Sequence, residues 1–260
     1  MRLNKVLALK GICSRREADK LISKNQVLIN GENTSPGYIV QSGDEIEVQI
    51  PTEKEAFKFL FSEEKIVEEF EKIFLILNKQ VNIECTCNTN IKNNIITYLR
   101  KNDEFKELEK KYKKKNNSEL RLFHVGRLDK NSRGLILLTN DGETAQRLTH
   151  PKYEHEKEYL VTVNKDISDS FINKLSAGVE ISRNKKIDKV KTLACKVKKI
   201  NSKTFKIILT QGYKRQIRQS CKVLGYEVID LYRFRIGSLS LEENLNLPES
   251  KFKLIDTAIY

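Results

Sequence analysis

The stretch Gly126-Arg127-Leu128-Asp129-Lys130-Asn131-Ser132-Arg133-Gly134-Leu135-Ile136-Leu137-Leu138-Thr139-Asn140-Asp141-Gly142 decides how the rest of the chain is read. One carboxylate, Asp129, stands between two cations, Arg127 and Lys130. Glycines at 126 and 134 mark tight places on either side. Leu135 to Leu138 is an apolar run short enough for a buried strand, and Asn140-Asp141-Gly142 closes it as a turn. A carboxylate on a loop backed by a buried strand is held rigidly yet can be reached, as a reactive group must be. Taken alone, an Asp in Leu-Asp-Lys-Asn is most often a turn or cap residue.

Outward from that stretch, the 260 residues suffice for one large domain and one small one, each with its own core. No apolar stretch reaches membrane-spanning length. Met1-Arg2-Leu3-Asn4-Lys5 leads into an amphipathic pattern, without an apolar h-region or a small-residue cleavage site, so a cytoplasmic protein is expected. The cysteines, Cys13, Cys85, Cys87, Cys195 and Cys221, are odd in number and include no Cys-x-x-Cys pair. Neither they nor His124, His150 and His155 have metal-ligand spacing, so neither a disulfide framework nor a metal site is expected. Cys85 and Cys87 read as core thiols.

The formal net charge is +13. A basic surplus favours a polyanion, because each phosphate neutralised releases condensed counterions, but a Lys-rich surface also serves solubility. Location is more telling than the total. Arg183 to Lys222 carries 14 Lys/Arg against one acid, Asp188, and residues 1–24 carry seven against Glu17 and Asp19. Two separate basic surfaces imply a long footprint on a nucleic acid.

Residues 1–50 read as a compact unit. Leu3, Val6, Leu7 and Ile12 form a helical apolar stripe ending around Gly11. Ser14-Arg15-Arg16-Glu17 is a capping box opening a second helix with Ala18, Leu21 and Ile22 inward. Val27-Leu28-Ile29 runs into an Asn30-Gly31 hairpin turn. Residues 38–40 and 46–48 are expected to pair as a second small hairpin. Residues 51–72 read as an acidic linker, part helix and partly docked, with apolar anchors such as Phe57, Phe61, Ile66 and Phe70. Ile73 to Lys79 is a buried-strand run, and 93–99 a short helix. Residues 100–120 read as an inserted solvated loop or helix tip without a core face, a plain surface decoration ahead of the alternative that it helps to grip RNA. Helices are expected at 143–150, capped by Asn140 or Asp141, and at 168–175. Strands are expected at 155–163, 195–197, 204–209 and 228–239. Residues 211–218 form a loop entering a helix.

Gly-Arg-Leu-Asp-Lys-Asn-Ser-Arg-Gly-Leu-Ile-Leu-Leu-Thr-Asn-Asp-Gly resembles the active-site segment of RNA pseudouridine synthases. The resemblance extends over nearly the whole chain. Arg2-Leu3-Asn4-Lys5, the Ser14–Ala18 box and Val27–Gly31 are similar to the alpha-L RNA-binding domain, with Asn25 where a Gly commonly ends the second helix. Asn78-Lys79 resembles the Asn-Lys-Pro of the catalytic domain, with Gln80 in place of Pro. Within the RsuA/RluB/RluE/RluF family of ribosomal RNA enzymes, His155–Tyr159, Cys195–Val197 and Thr210–Gly212 look most like the RluF type.

The resemblance implies an α+β fold. An alpha-L RNA-binding domain would span 1–50, a linker 51–72, and a synthase domain 73–260 with a mixed, mainly antiparallel sheet and a central cleft. It implies isomerisation of a uridine in ribosomal RNA, most like a large-subunit 23S enzyme, without a cofactor. Asp129 matches the catalytic Asp, acting either as nucleophile at the anomeric carbon or as base at the neighbouring ribose carbon. Tyr159 matches the active-site Tyr that stacks on uracil, and Arg218 the Arg that pairs with the Asp. Arg2, Lys5, Arg15, Arg16, Lys20, Arg127 and Arg215 are expected to contact RNA. The expected partner is ribosomal RNA or a pre-ribosomal particle, with no membrane and a monomeric protein. Competing readings are a catalytically silent RNA-binding assembly factor, the same chemistry on small-subunit ribosomal RNA or tRNA, and a glycoside hydrolase. The last would want two carboxylates with separate acid and base duties, and only Asp129 stands in a fitting setting.

Overall fold

The computed structural model describes residues 1–64, 71–88, 90–116, 119–184 and 188–255. The chain divides into two compact units: Met1–Lys72 with Asn102–Arg121, and Ile73–Lys101 with Leu122–Tyr260.

In the first unit, α1 (Leu3–Leu9) and α2 (Arg15–Ser23) precede a sheet of order β2-β1-β3-β4. Its strands are β1 (Val27–Ile29), β2 (Glu32–Asn33), β3 (Glu45–Val48) and β4 (Phe57–Leu60). The Ser14 hydroxyl accepts the Glu17 N–H at 3.2 Å and starts α2. Asn25, at φ +56°, ends it in the left-handed conformation that Asn tolerates. Asn30 and Gly31 both have positive φ, as the tight hairpin turn requires, and pair Ile29 with Glu32. Asn4 Nδ2 donates to Asp19 Oδ1 at 2.9 Å and ties the helices together. Leu3, Val6, Leu7, Ala18, Leu21, Ile22, Val27, Ile46, Val48 and Phe61 fill the core.

Three features differ from the sequence reading. Residues 38–40 do not form a ladder with 46–48; they contribute a single bridge, Arg2 to Ile39, and β3 pairs with β1 and β4 instead. Asp44 explains this. Its carboxylate accepts bonds from Gln41 N–H at 2.8 Å, Asn30 Nδ2 at 3.0 Å and the Tyr38 hydroxyl at 3.3 Å, folding 38–44 into a corner. Second, β4 lies inside 51–72, and Phe61 is only 2% exposed, so this stretch adds a strand and a core residue to the first unit. Residues 65–70, where part of the linker helix was expected, lie outside the described residues.

Third, most of the described insert is a docked helix. Before it comes α3 (Ile95–Leu99), capped by Asn94, and then α4 runs from Asp103 to Asn116. Phe105 and Tyr112 are buried, and Leu108 is half-buried on the same stripe. The spacing of these three is helical, and it was missed because eight charged residues surround them between 106 and 115.

The second unit is built, among its described residues, on a nine-stranded sheet of order β11-β12-β8-β13-β7-β5-β15, with β14 on β13 and β6 on β7. The strands are β5 (Phe74–Lys79), β6 (Phe123–Val125), β7 (Arg133–Thr139), β8 (Lys157–Val163), β11 (Lys196–Lys199), β12 (Thr204–Leu209), β13 (Val228–Ile236), β14 (Leu239–Ser240) and β15 (Phe252–Leu254). β9 (Glu180–Asn184) and β10 (Asp188–Lys191) form a separate hairpin. Every residue of β5 is buried, which is why it reads as a continuous apolar run. β7 and β13 pair in parallel, Arg133 with Tyr232 and Gly134 with Arg233, whereas the other ladders are antiparallel. The expected strand over 228–239 folds back after Ile236, so that Leu239 pairs with it.

Helices α5 (Gly142–Thr149), α6 (Asp169–Ser176) and α7 (Gln216–Val223) complete this unit. Asp141 caps α5, accepting the Glu143 N–H at 3.1 Å and the Thr144 hydroxyl at 2.7 Å. Asn140 does another job: its Oδ1 accepts Ile73 N–H at 2.8 Å, fixing the start of β5. The apolar faces of α6 (Phe171, Leu175) and α7 (Ile217, Cys221) join Val161, Val163, Phe205 and Ile207 of the sheet in one core.

Candidate active site

The segment entering β7 is pinned through its backbone by three cations, none of them on the segment itself. Lys79, at the end of β5 and fully buried, donates to the carbonyls of Gln80 and Ile83 at 2.9 Å and to that of Lys130 at 3.4 Å. Arg233, on β13 and 3% exposed, donates from Nε to Leu135 O at 2.8 Å and from Nη1 to Arg127 O at 3.4 Å. Arg218, on α7, donates from Nη2 to Asn131 O at 2.7 Å and Ser132 Oγ at 3.2 Å, and from Nη1 to Val228 O at 2.9 Å. Within the segment, Ser132 N–H closes a turn on Asp129 O at 3.0 Å. Beneath it, the Leu128 N–H donates to the Cys85 sulfur at 3.4 Å. Buried carbonyls left unpaired are costly, so these contacts fix the conformation that presents Asp129.

The Asp129 carboxylate, with its side chain 29% exposed, meets two guanidinium groups. Arg218 Nε lies 3.9 Å from Oδ2, and Arg215 Nη1 lies 3.7 Å from the same oxygen. The distances are similar but the two cations are unequal. Arg218 is 12% exposed and Arg215 48%. At about 4 Å and an effective dielectric of about 20, a pair attracts by on the order of 4 kcal/mol before desolvation is counted. A solvent-screened pair retains roughly 0–1 kcal/mol. Arg218 therefore dominates the field at Asp129. Burial first, then the like charge of Arg215, loosens Arg218's hold on its proton, and Asp129 acts in the opposite sense. Arg218 Nε is buried with no hydrogen-bond partner among the described residues, and it is the atom nearest the carboxylate. Its guanidinium is thus anchored on its other two nitrogens and offers the third to Asp129.

Arg215 sits at the N-cap of α7 with φ +55° and ψ +32°, a left-handed conformation in a non-glycine residue. Such a backbone costs roughly 1–3 kcal/mol. It is retained where it aims the Arg215 side chain at the same oxygen as Arg218.

Tyr159 lies on β8, in register with Ile207 of β12 on one side and Arg233 of β13 on the other. Its half-buried ring packs on the core that also holds Ile217, the neighbour of Arg218. Arg233, cross-strand from Tyr159, bonds the carbonyl two residues before Asp129. Arg127 itself is exposed. Arg2, Lys5, Arg15, Arg16 and Lys20 are exposed in the first unit, where Lys20 lies 3.9 Å from Glu17.

Sequence reasoning did not single out Lys79 or Arg233, and it gave Arg215 an RNA contact without foreseeing that it also faces Asp129. The available signals were a lysine ending a fully buried strand and an arginine at an inward position of another. Burial pushes the Lys79 amine down to about 8. Among the described residues, no cluster of His, Cys, Asp and Glu could hold a metal ion.

Residues 73–222 match the family model described as RNA pseudouridylate synthase, and residues 1–46 match the S4 domain. The chain is 38% identical over 243 residues to the dual-specificity RNA pseudouridine synthase RluF of Escherichia coli (strain K12), covering 93% of this chain and 71% of that protein. It is 31% identical over 242 residues to the ribosomal large subunit pseudouridine synthase B of Bacillus subtilis (strain 168), covering 92% and 87%. A solved crystal structure of a pseudouridylate synthase aligns over 99% of this chain and 97% of its own, with a TM-score of 0.61 and 25% identity.

Proposed function

This chain belongs to the RNA pseudouridylate synthase family, with an S4 domain in front, and from that premise we propose that it isomerises a uridine of ribosomal RNA, most like a large-subunit site. The RluF and large-subunit relatives support that choice of RNA. We take 1–50, with β4 and Phe61 added to it, as the RNA-binding domain, the rest of 51–72 as the connection, and 73–260 as the catalytic domain apart from the insert 102–121, which groups with the first unit. The protein acts as a monomer in the cytoplasm, on ribosomal RNA or a pre-ribosomal particle.

The reaction breaks the bond between ribose C1′ and uracil N1, turns the base, and joins C1′ to C5. The C5 proton leaves and N1 gains one, so reactant and product have the same atoms and no electrons are exchanged. The protein must supply an ionised carboxylate at the ribose, a place for the detached base, and a way to take the nucleotide out of its stack. Asp129 is the reacting carboxylate, as nucleophile at C1′ or as base at C2′. Arg218 faces its charge and aims it. Tyr159 covers the uracil, which its flat ring can stack on. Arg127 and Arg215 contact the RNA strand, together with Arg2, Lys5, Arg15, Arg16 and Lys20 of the first unit.

The observation that carries this reading is one carboxylate facing two guanidinium groups on a segment whose backbone three cations hold in place. The test is to map pseudouridines across ribosomal RNA from cells with and without the gene. One or more large-subunit sites should disappear on deletion and return with the intact gene. An unchanged map would rule the reading out.

A further inference from the structure

We propose that the inserted helix Asp103–Asn116 is a second RNA-binding surface of the first unit, gripping phosphates through Lys110, Lys111 and Lys114. This rests on the reading that the first unit binds RNA. Three observations carry it.

The helix is built into that unit. Asn102–Arg121 groups with Met1–Lys72, and Phe105 and Tyr112 are buried. Its end is tied down at Glu71, which receives Lys115 Nζ at 3.2 Å and Asn116 Nδ2 at 3.3 Å. The chain leaving it brings Arg121 close enough to Cys13 for its charge to act on the thiol, just ahead of Arg15 and Arg16 on α2. The insert therefore reaches the neighbourhood of the basic helix.

Its charge is segregated. Asp103, Glu104, Glu107 and Glu109 occupy the first half, and Lys110, Lys111, Lys113, Lys114 and Lys115 the second. Cations near a helix C-terminus are favoured by the helix dipole, but that effect is satisfied by one or two of them. Among the described residues Lys106 pairs with Asp103, Lys113 with Glu119 and Lys115 with Glu71. Lys110, Lys111 and Lys114 are exposed and lie within 4 Å of no carboxylate there.

Those three share a face. Positions 110, 114 and 111 fall within roughly 100° of arc at 3.6 residues per turn, on the side turned away from Phe105, Leu108 and Tyr112. Three like-charged ammonium groups, none of them ion-paired within 4 Å among the described residues, form a stripe one to two turns long, a length that suits successive phosphates of one RNA strand. A partner carrying regularly spaced negative charge, RNA, is the occupant this stripe fits.

The test uses the full chain and a labelled RNA hairpin of about 30 nucleotides. Binding is measured from low to high salt for the parent, for Lys110→Gln/Lys111→Gln/Lys114→Gln, and for Lys106→Gln/Lys113→Gln/Lys115→Gln, which removes the same charge from ion-paired positions. Gln keeps the helix propensity close to that of Lys, and circular dichroism checks that both variants fold. The first variant should lower the slope of log affinity against log salt by about 2 to 3, the loss expected for three phosphate contacts. The second should keep most of the parent slope. A parental slope in the first variant, or equal losses in both, would overturn the proposal while leaving the unit's RNA binding intact. A parent that binds the hairpin without salt dependence would overturn both.

Discussion

Arg218 offers Asp129 its Nε alone: that nitrogen lies 3.9 Å from Oδ2, while the other two are committed to Asn131 O, Ser132 Oγ and Val228 O. One planar group thus fixes the segment and sets the field on the carboxylate. A lysine reaches one of these places and cannot span them. Arg218→Lys should lower kcat by about 100-fold or more, the scale of losing a preorganised electrostatic partner, with RNA affinity within a few-fold of the parent. Single-turnover rates and filter binding separate the two. A variant retaining most of its turnover would show that Arg218 is only a structural anchor.

Arg215 is the contrasting case. It is as close to Asp129 as Arg218 but four times more exposed, so screening leaves it little of the interaction. Arg215→Gln should reduce kcat by less than about tenfold while lowering the salt slope of RNA binding by about 1, as for one phosphate contact. A loss of kcat equal to that of Arg218→Lys, with an unaltered slope, would place Arg215 in the chemistry instead.

Lys79 connects the site to stability. Its amine is held down to about 8 by burial, below the roughly 10.4 of an unfolded lysine. Between these values the unfolded chain binds more protons than the folded one, so stability contributed through this group rises with pH. Below pH 8 the buried charge costs stability, and the cost is relieved as pH climbs from 8 towards 10. Lys79→Met lacks this dependence. The stability difference, parent minus variant, should therefore grow by on the order of 2–3 kcal/mol across that window. Urea unfolding at several pH values measures it, and a difference that shrinks or stays flat would contradict the assignment.

Gly134 sits where β7 touches β13. It has φ +109°, and a Cβ there would lie 2.1 Å from the backbone oxygen of Arg233. Gly134→Ala must push the strands apart at the parallel pair that seats Arg233 beside the Asp129 segment. A cost of at least about 3 kcal/mol is expected from strain and the lost pairing. Thermal melts of the variant should show a large drop, or the protein should fail to accumulate in soluble form. A melting temperature close to the parent's would mean that the strands approach less closely.

Much of the architecture was legible where the local signals agreed with the global fold. The Ser14 cap, the Asn30-Gly31 turn, the apolar run that opens β5 and the alternating β8 and β12 each carry a local physical signature. The insert was misread because a helix needs only one apolar residue per turn to dock. Phe105, Leu108 and Tyr112 meet that minimum inside a run dominated by charge. The 38–40 segment was misread because Tyr38-Ile39-Val40 has strand propensity, while the bonds made by Asp44 are tertiary. At the site, Asp129 and Arg218 came from a resemblance, not from patterning: a loop Asp has several ordinary uses. Lys79 and Arg233 were hidden because a buried cation makes sense only when the carbonyls it serves are known, and those lie on strands and loops far away in sequence.

The proposed isomerisation stands or falls with the Asp129 carboxylate. The most direct test is a single-turnover assay of Asp129→Asn on large-subunit ribosomal RNA, counting pseudouridine formed and measuring RNA affinity on the same preparation. The account predicts no detectable product, with affinity within a few-fold of the parent, because the amide keeps the size of the side chain and removes its charge. Product formed at a rate near the parent's would contradict it.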